Sequence, residues 1–222
     1  MIYLSSFKVS EHRVNNPNLY PYNVFRNKEI YPFIFAPITI FYGNNGCGKS
    51  TLLNLVAKKI QARGYEDYTV SQLGIEQFVS ECTISYGEDD YGHELMIPKG
   101  SLYLKSEDLL YEVKKVEQES ALKNGYVFDE MRINNLTKEQ AILKLHSPVM
   151  KGAPSRLACI QFNQEKYSNG ETAMTILENS LEPDNLYLLD EPEVSLSPSN
   201  QVKLAEEINK LARFLNCPFI IA

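Results

Sequence analysis

The nine residues Gly43-Asn44-Asn45-Gly46-Cys47-Gly48-Lys49-Ser50-Thr51 constrain the fold more than any other stretch of the chain. Gly43, Gly48, Lys49 and Ser50 satisfy the spacing G-x-x-x-x-G-K-[ST], which requires a strand in front and a helix behind. Upstream, APITIF (36–41) is β-branched and apolar and predicts a buried strand. Downstream, TLLNLVAKKIQAR (51–63) sets Leu52, Leu53, Val56 and Ile60 at helical spacing. The glycines let backbone N–H groups converge on phosphate oxygens with no Cβ in the way. The helix N-terminus adds a favourable dipole for an anion. In such a loop Lys49 neutralises β- and γ-phosphates, and the Ser50 hydroxyl ligates Mg²⁺. The expectation is an α/β fold that holds a nucleotide through Gly43 to Thr51.

A second constellation lies far downstream, in NLYLLDEPEVSLSPS (185–199). An apolar strand, Leu186 to Leu189, ends in Asp190 and Glu191. Ligands of open α/β sheets bind outside the carboxyl ends of the strands. Two acids at such an end suit metal-water binding by Asp190 and polarisation of the attacking water by Glu191. Standing alone, the string would read as a solvated acidic turn; paired with the phosphate loop it reads as chemistry. A third element, KYSNGETAMTILENSL (166–181), holds Ser168, Asn169, Gly170 and Glu171 ahead of an apolar-periodic run. Ser-x-x-Glu at that place is a helix capping box. Serine, glycine and a helix N-terminus together also make a second anion site. The two readings are compatible, and spacing alone does not say whose nucleotide the site would serve.

The rest of the chain is organised around these motifs. Residues 2–9 read as a strand, and 15–32 as an extended loop rich in Pro, Asn and Tyr. ECTISYGEDDYGHELMIPKG (81–100) predicts a hairpin turning at the acidic GEDDYG. Residues 101–124 start as a strand and become a charged helix, and Thr137 with Gln140 form a capping box before a short helix. Ser197 and Pro198 open a helix over 198–215, followed by a strand at 217–222. Tyr20, Tyr22 and Phe25 offer aromatic rings for adenine, although packing under the first strand is their simpler reading. Cys47, Cys82, Cys159 and Cys217 form no C-x-x-C pair, which argues against a zinc site or disulfide framework and for the cytoplasm. A net charge of −6 argues against a uniformly basic nucleic-acid surface but leaves room for a local basic groove, and no apolar run approaches a membrane span.

Taken together, these residues resemble the ATP-binding cassette ATPases. GNNGCGKST is similar to Walker A, YSNGE to the cassette signature, LYLLDEPE to Walker B with its catalytic glutamate, and SLSP (195–198) to the D-loop. Within that superfamily YPYN (20–23), SNGE and EPEVSLSPSNQ resemble the soluble "predicted ATPase" branch of AAA-family proteins, distantly similar to the ATPase heads of DNA repair. LKSEDLL (104–110) resembles the segment around the Q-loop and makes Glu107 a metal-site candidate beside Ser50 and Asp190. The resemblance implies a P-loop NTPase with a mixed sheet flanked by helices. It implies one cassette domain over 1–222, with a core of about 1–63 and 156–222 and a smaller lobe inserted over about 64–155.

It further implies ATP and Mg²⁺ as cofactors and a head-to-tail homodimer with ATP sandwiched between subunits. Each nucleotide would meet Walker A of one chain and Ser168 to Glu171 of the other. Glu191 would be the catalytic residue. A nuclease in antiviral defence, or a nucleic acid, is the partner expected of the soluble branch; the alternative is the nucleotide-binding subunit of a membrane transporter. The family continues past the last strand into a histidine-bearing turn. The chain stops at Ala222, so a truncated end and impaired turnover are expected.

Overall fold

The structure is a computed structural model that describes residues 1–16, 18–26, 28, 31–66, 72–108, 111, 127–128, 131–132, 134, 137–140, 169–194 and 196–222. The chain divides into two compact units, one made of Met1–Ser106 with Glu178–Ala222, the other of Glu107–Leu177.

In the first unit, parallel and antiparallel pairing segregate into two sheets. Strands β1 (Leu4–Lys8), β2 (Phe33–Ile34) and β4 (Thr83–Tyr86) form an antiparallel sheet in the order β2-β1-β4. Strands β3 (Ile38–Ile40), β5 (Leu102–Lys105), β6 (Tyr187–Asp190) and β7 (Phe219–Ile221) form a parallel sheet in the order β3-β7-β6-β5. Every residue of β6 is buried, as expected of a parallel strand covered on both faces. This register decides the site. β3 leads into the phosphate loop, β6 ends in the acids, and β7 lies between them.

Helix α1 (Tyr22–Phe25) is a single turn inside the predicted loop. Helix α2 (Lys49–Lys59) begins two residues before the periodic run, because Lys49 and Ser50 of the motif are its first turn. Its buried face holds Leu52, Leu53, Leu55 and Val56. Each such side chain contributes about 1.5–3 kcal/mol on leaving water. Asn54, on the same face, is buried at no polar cost: its amide donates to Glu66 O at 3.2 Å and accepts from Glu66 N at 2.8 Å. Helix α3 (Gln72–Glu81) packs Ile75 and Phe78 into the core shared with β1 and α2. Helix α5 (Pro198–Phe214) starts as predicted, with Ser197 as N-cap accepting from Asn200 N and Pro198 at the first position.

The predicted hairpin over 81–100 is cut short. Only β4 is a strand, and its return arm is reduced to one bridge between Glu88 and Glu94. Asp89 dictates this, because its carboxylate accepts from Tyr91 N and His93 N, both at 2.8 Å, closing the turn on itself. In the second unit the capping box is present. Thr137 Oγ1 accepts from Gln140 N at 3.3 Å and Gln140 Oε1 accepts from Thr137 N at 3.1 Å. Helix α4 (Asn169–Ser180) begins in that unit.

Candidate functional site

The loop Gly43–Gly48 joins β3 to α2. Gly46 and Gly48 have φ of +76° and +102°, a region that side chains disfavour. Gly48 is also the N-cap of α2 and packs against α1: a Cβ there would stand 2.6 Å from Val24 Cγ1. Gly43 abuts Cys47, whose Sγ lies 2.9 Å from the place a Cβ would take. Asn44 accepts from Cys47 N at 3.2 Å and so tightens the turn. Asn45 and Gly46 form its exposed tip.

Lys49 folds its ammonium back onto the loop, donating to Gly43 O at 2.9 Å and Asn44 O at 3.4 Å. The carbonyls are thus capped by a cation while backbone N–H groups stay available, a cradle suited to an anion. One turn on, Ser50 Oγ donates to Asp190 Oδ1 at 3.0 Å. The other carboxylate oxygen, Oδ2, accepts from Tyr103 OH at 3.1 Å. Asp190 is buried, so the phenol and the hydroxyl together compensate its lost hydration. A serine hydroxyl, a buried carboxylate and a lysine at a glycine loop are the hard oxygen donors and counter-charge that Mg²⁺ and a triphosphate need. The residues present fit that group. Thr51 lies against the first segment of the chain, its Oγ1 accepting from Tyr20 OH at 3.3 Å.

Glu191 follows β6 directly, with a φ of +50°. A non-glycine residue in that region is strained by about 1–2 kcal/mol. Its N–H donates to Ala222 O at 2.8 Å, which fixes the turn. Gln201 holds the segment beyond, donating to Glu193 O and Leu196 O, both at 3.2 Å.

The remaining predicted residues fall in the second unit. Glu107 is exposed there, in a helical turn just after β5. The backbone of Asn169, Gly170 and Glu171 forms the first turn of α4. Ser168 lies outside the described residues, as do the side chains of those three. Of the aromatic candidates for adenine, Tyr22 and Phe25 instead pack on Phe78, at centroid distances of 4.7 and 5.6 Å, and Tyr22 is buried.

A cleft of about 740 Å³ opens beside the loop, between the end of β1 and α1, and Lys8, Arg13, Arg26, Lys28, Asn16 and Phe25 are among its lining residues. Against it stands Glu81, the last residue of α3, which accepts from Ser10 Oγ and, at 2.9 Å, from Tyr22 OH at one oxygen and, at 3.0 Å, from Gln77 Nε2 at the other. Burial pushes its carboxyl up, but the hydrogen bonds from Ser10, Gln77 and Tyr22 outweigh this and hold it below the usual carboxylate range. Burial and the bond to Glu81 raise the Tyr22 phenol. Neither Tyr103 nor Glu81 was singled out by motif. Tyr103 announces itself only through the register of β5 on β6, where it pairs with Leu188 and its side chain runs toward Asp190.

The profile of the ABC transporter family matches residues 36–194, from the strand before the loop to the segment after the acids. The chain belongs to the ABC transporter family. As an ABC ATPase domain it is a P-loop NTPase with ATP and Mg²⁺ as cofactors. Two curated relatives are zinc import ATP-binding proteins ZnuC. That of Psychrobacter arcticus is 26% identical over 180 residues, covering 81% of this chain and 58% of the relative. That of Psychrobacter cryohalolentis is 27% identical, with the same coverage. The chain thus spans less than two thirds of the length of these relatives. Among solved structures, the match to Stu0660 of Streptococcus thermophilus covers 97% of this chain and 68% of that one, with 14% identity and a TM-score of 0.42. Among the described residues, no helix is long and apolar enough to cross a membrane.

Proposed function

We propose that the chain is an ATP-hydrolysing cassette that closes into a head-to-tail homodimer on ATP and reopens on hydrolysis, thereby driving a partner protein. The observation that carries this reading is the 3.0 Å bond from Ser50 Oγ to Asp190 Oδ1. It joins the phosphate loop to an acid 140 residues away in the chain, the pairing that phosphoryl transfer requires. Gly43 to Thr51 hold the phosphates. Ser50 and Asp190 would hold Mg²⁺, which would supply charge neutralisation on the phosphates. Glu191 orients and polarises the attacking water. Its left-handed backbone supports that role, because strain of this kind clusters where function over-determines conformation. Ser168 to Glu171 complete the partner subunit's site through a helix N-terminus. The cleft beside the loop receives the nucleoside. The inserted lobe covers about 64–155.

The driven partner has two readings. SNGE followed by TAMTILENSL rather than by basic residues, with EPEVSLSPSNQ after the acids, supports the soluble AAA-family branch in the cytoplasm. A nuclease of antiviral defence or a DNA-repair substrate is then the partner. The zinc import relatives support the other reading, a nucleotide-binding subunit docked on a permease. Glu191→Gln tests the cassette itself. It keeps ATP binding, slows turnover about 10²–10⁴-fold, and accumulates dimer in light scattering with ATP and Mg²⁺. A variant saturated with ATP yet monomeric would sink the sandwich. Affinity purification of that trapped dimer from the native host then decides the partner: a permease favours transport, a nuclease the soluble branch.

A further inference from the structure

Lys28 is the one lining residue of the cleft whose side chain the structure also hydrogen-bonds to the phosphate loop, among the described residues. Its ammonium donates to Cys47 O at 2.7 Å. It stands 3.8 Å from the position a Cβ would take on Gly48, the N-cap of α2, and 5.9 Å from the centre of the Phe25 ring. Its own N–H is tied to Phe25 O at 3.3 Å, so the residue is anchored at both ends. Cations are disfavoured at a helix N-terminus, where the dipole is positive. Here two converge, since Lys49 caps the Gly43 and Asn44 carbonyls of the same loop. No acidic residue lies within 43–51 to offset them. An exposed lysine held at such a place is stabilised by an anion.

The placement also says which part of the anion. Ser50 lies on the Asp190 side of the loop, where the metal and the terminal phosphates belong. Lys28 lies on the cleft side, where Arg13, Arg26 and Asn16 line the space proposed for the nucleoside. The group between a nucleoside and a β-phosphate is the α-phosphate. We propose that Lys28 is a second nucleotide-binding lysine, contacting the α-phosphate from the cleft side while bracing the loop through Cys47 O. One of its three ammonium hydrogens is used by Cys47 O, leaving two to donate. The inference rests on the nucleotide reading of the loop and cleft.

The test uses Lys28→Gln and Lys28→Arg in the full chain, with ATP and ADP affinities by calorimetry and steady-state turnover. Gln keeps a donor for Cys47 O and removes the charge; Arg keeps the charge. Lys28→Gln weakens both nucleotides about tenfold and raises KM by the same factor, because a charge-assisted contact to phosphate is lost. Its kcat stays within about twofold, because Lys28 is remote from the reacting γ-phosphate and Glu191. Lys28→Arg binds within about twofold of the parent. The inference is overturned if Lys28→Gln binds like the parent, if Arg loses as much as Gln, or if kcat falls as far as affinity, which marks a brace for the loop and nothing more. A parent chain that binds no ATP, or binds it equally after Lys49→Ala, would instead sink the nucleotide site and this inference with it.

Discussion

Gly48→Ala separates two costs that the structure places on one atom. Gly48 has a φ of +102°, and its missing Cβ would meet Val24 Cγ1 of α1 at 2.6 Å. The left-handed backbone costs an alanine about 1–2 kcal/mol. The collision is separate: ordinary carbon contacts begin near 3.4–4 Å, so α1 must retreat by most of an ångström, an overpacking cost of about 1–3 kcal/mol. The sum is about 2–5 kcal/mol, which lowers the Tm by roughly 4–20 °C for a chain of this size. Val24→Ala removes the obstructing methyl. In that background Gly48→Ala costs only the backbone part, about 1–2 kcal/mol, and a double-mutant cycle isolates the collision as the coupling between the sites. Thermal and urea unfolding of the four proteins measure it. ATP affinity falls in both alanine-48 variants, since the strained turn misdirects the N–H groups of the cradle. Additive effects of the two substitutions would show that α1 does not press on the loop and would refute the packing argument. A stable Gly48→Ala with unchanged ATP affinity would refute both halves.

Two further outcomes follow from other parts of the site. Ser168→Arg and Lys49→Ala are each inactive alone; mixed, they recover part of the turnover, because one composite site of the heterodimer is intact, and no recovery at any ratio between folded, associating chains would place the signature in cis. Glu81→Gln costs about 1–3 kcal/mol at neutral pH, since three donors lose their charged acceptor. Because the folded carboxyl is held below its ordinary 4.5, the unfolded chain binds the proton more readily, so the advantage of the parent is full above about pH 5 and shrinks as pH falls through the carboxylate range. Urea unfolding of both proteins from neutral to acid pH checks the narrowing; a constant gap would mean that Glu81 acts by packing alone.

What could be read in the sequence is what local rules dictate. The glycine loop, its strand and its helix follow from spacing and periodicity, and the structure places the strand at Ile38–Ile40 and the helix at Lys49–Lys59, although the strand expected to be buried leaves Ile40 exposed. Ser197 and Pro198 announce α5, and Thr137 with Gln140 their helix, because a cap is written within four residues. The acids at the end of a buried strand were legible because burial on both faces leaves an unbroken apolar run, Leu186 to Leu189. Features that depend on distant pairing were not. α3 escaped because QLGIEQFVSE is short and carries Gly74 in its first turns, where an added Cβ would stand 3.0 Å from Tyr20 O. Tyr103 reaches Asp190 only because β5 lies beside β6 in one register. Glu81 and Lys28 carry no motif, and Ser10, Tyr22 and Cys47, which they bond, come from other segments of the chain. The truncated hairpin shows the converse, a strand pattern overridden by the side chain of Asp89.

Strand β7 sits between the two halves of the site, and its last carbonyls serve both. Ile221 O accepts from Phe41 N at 2.7 Å, just ahead of the phosphate loop, and Ala222 O accepts from Glu191 N at 2.8 Å. A ribosome making this chain therefore exports the glycine loop long before the strand that spaces it from the acids exists. Until residues 219–221 emerge, β3 has no neighbour in its sheet and β6 can pair only with β5. Parallel pairing over such sequence separation is slow to form, and nascent chains fold from their N-terminal side first. The spacing of the loop from the acids therefore waits on β7. A nascent chain that has not yet reached this strand has a phosphate loop with no acid held beside it.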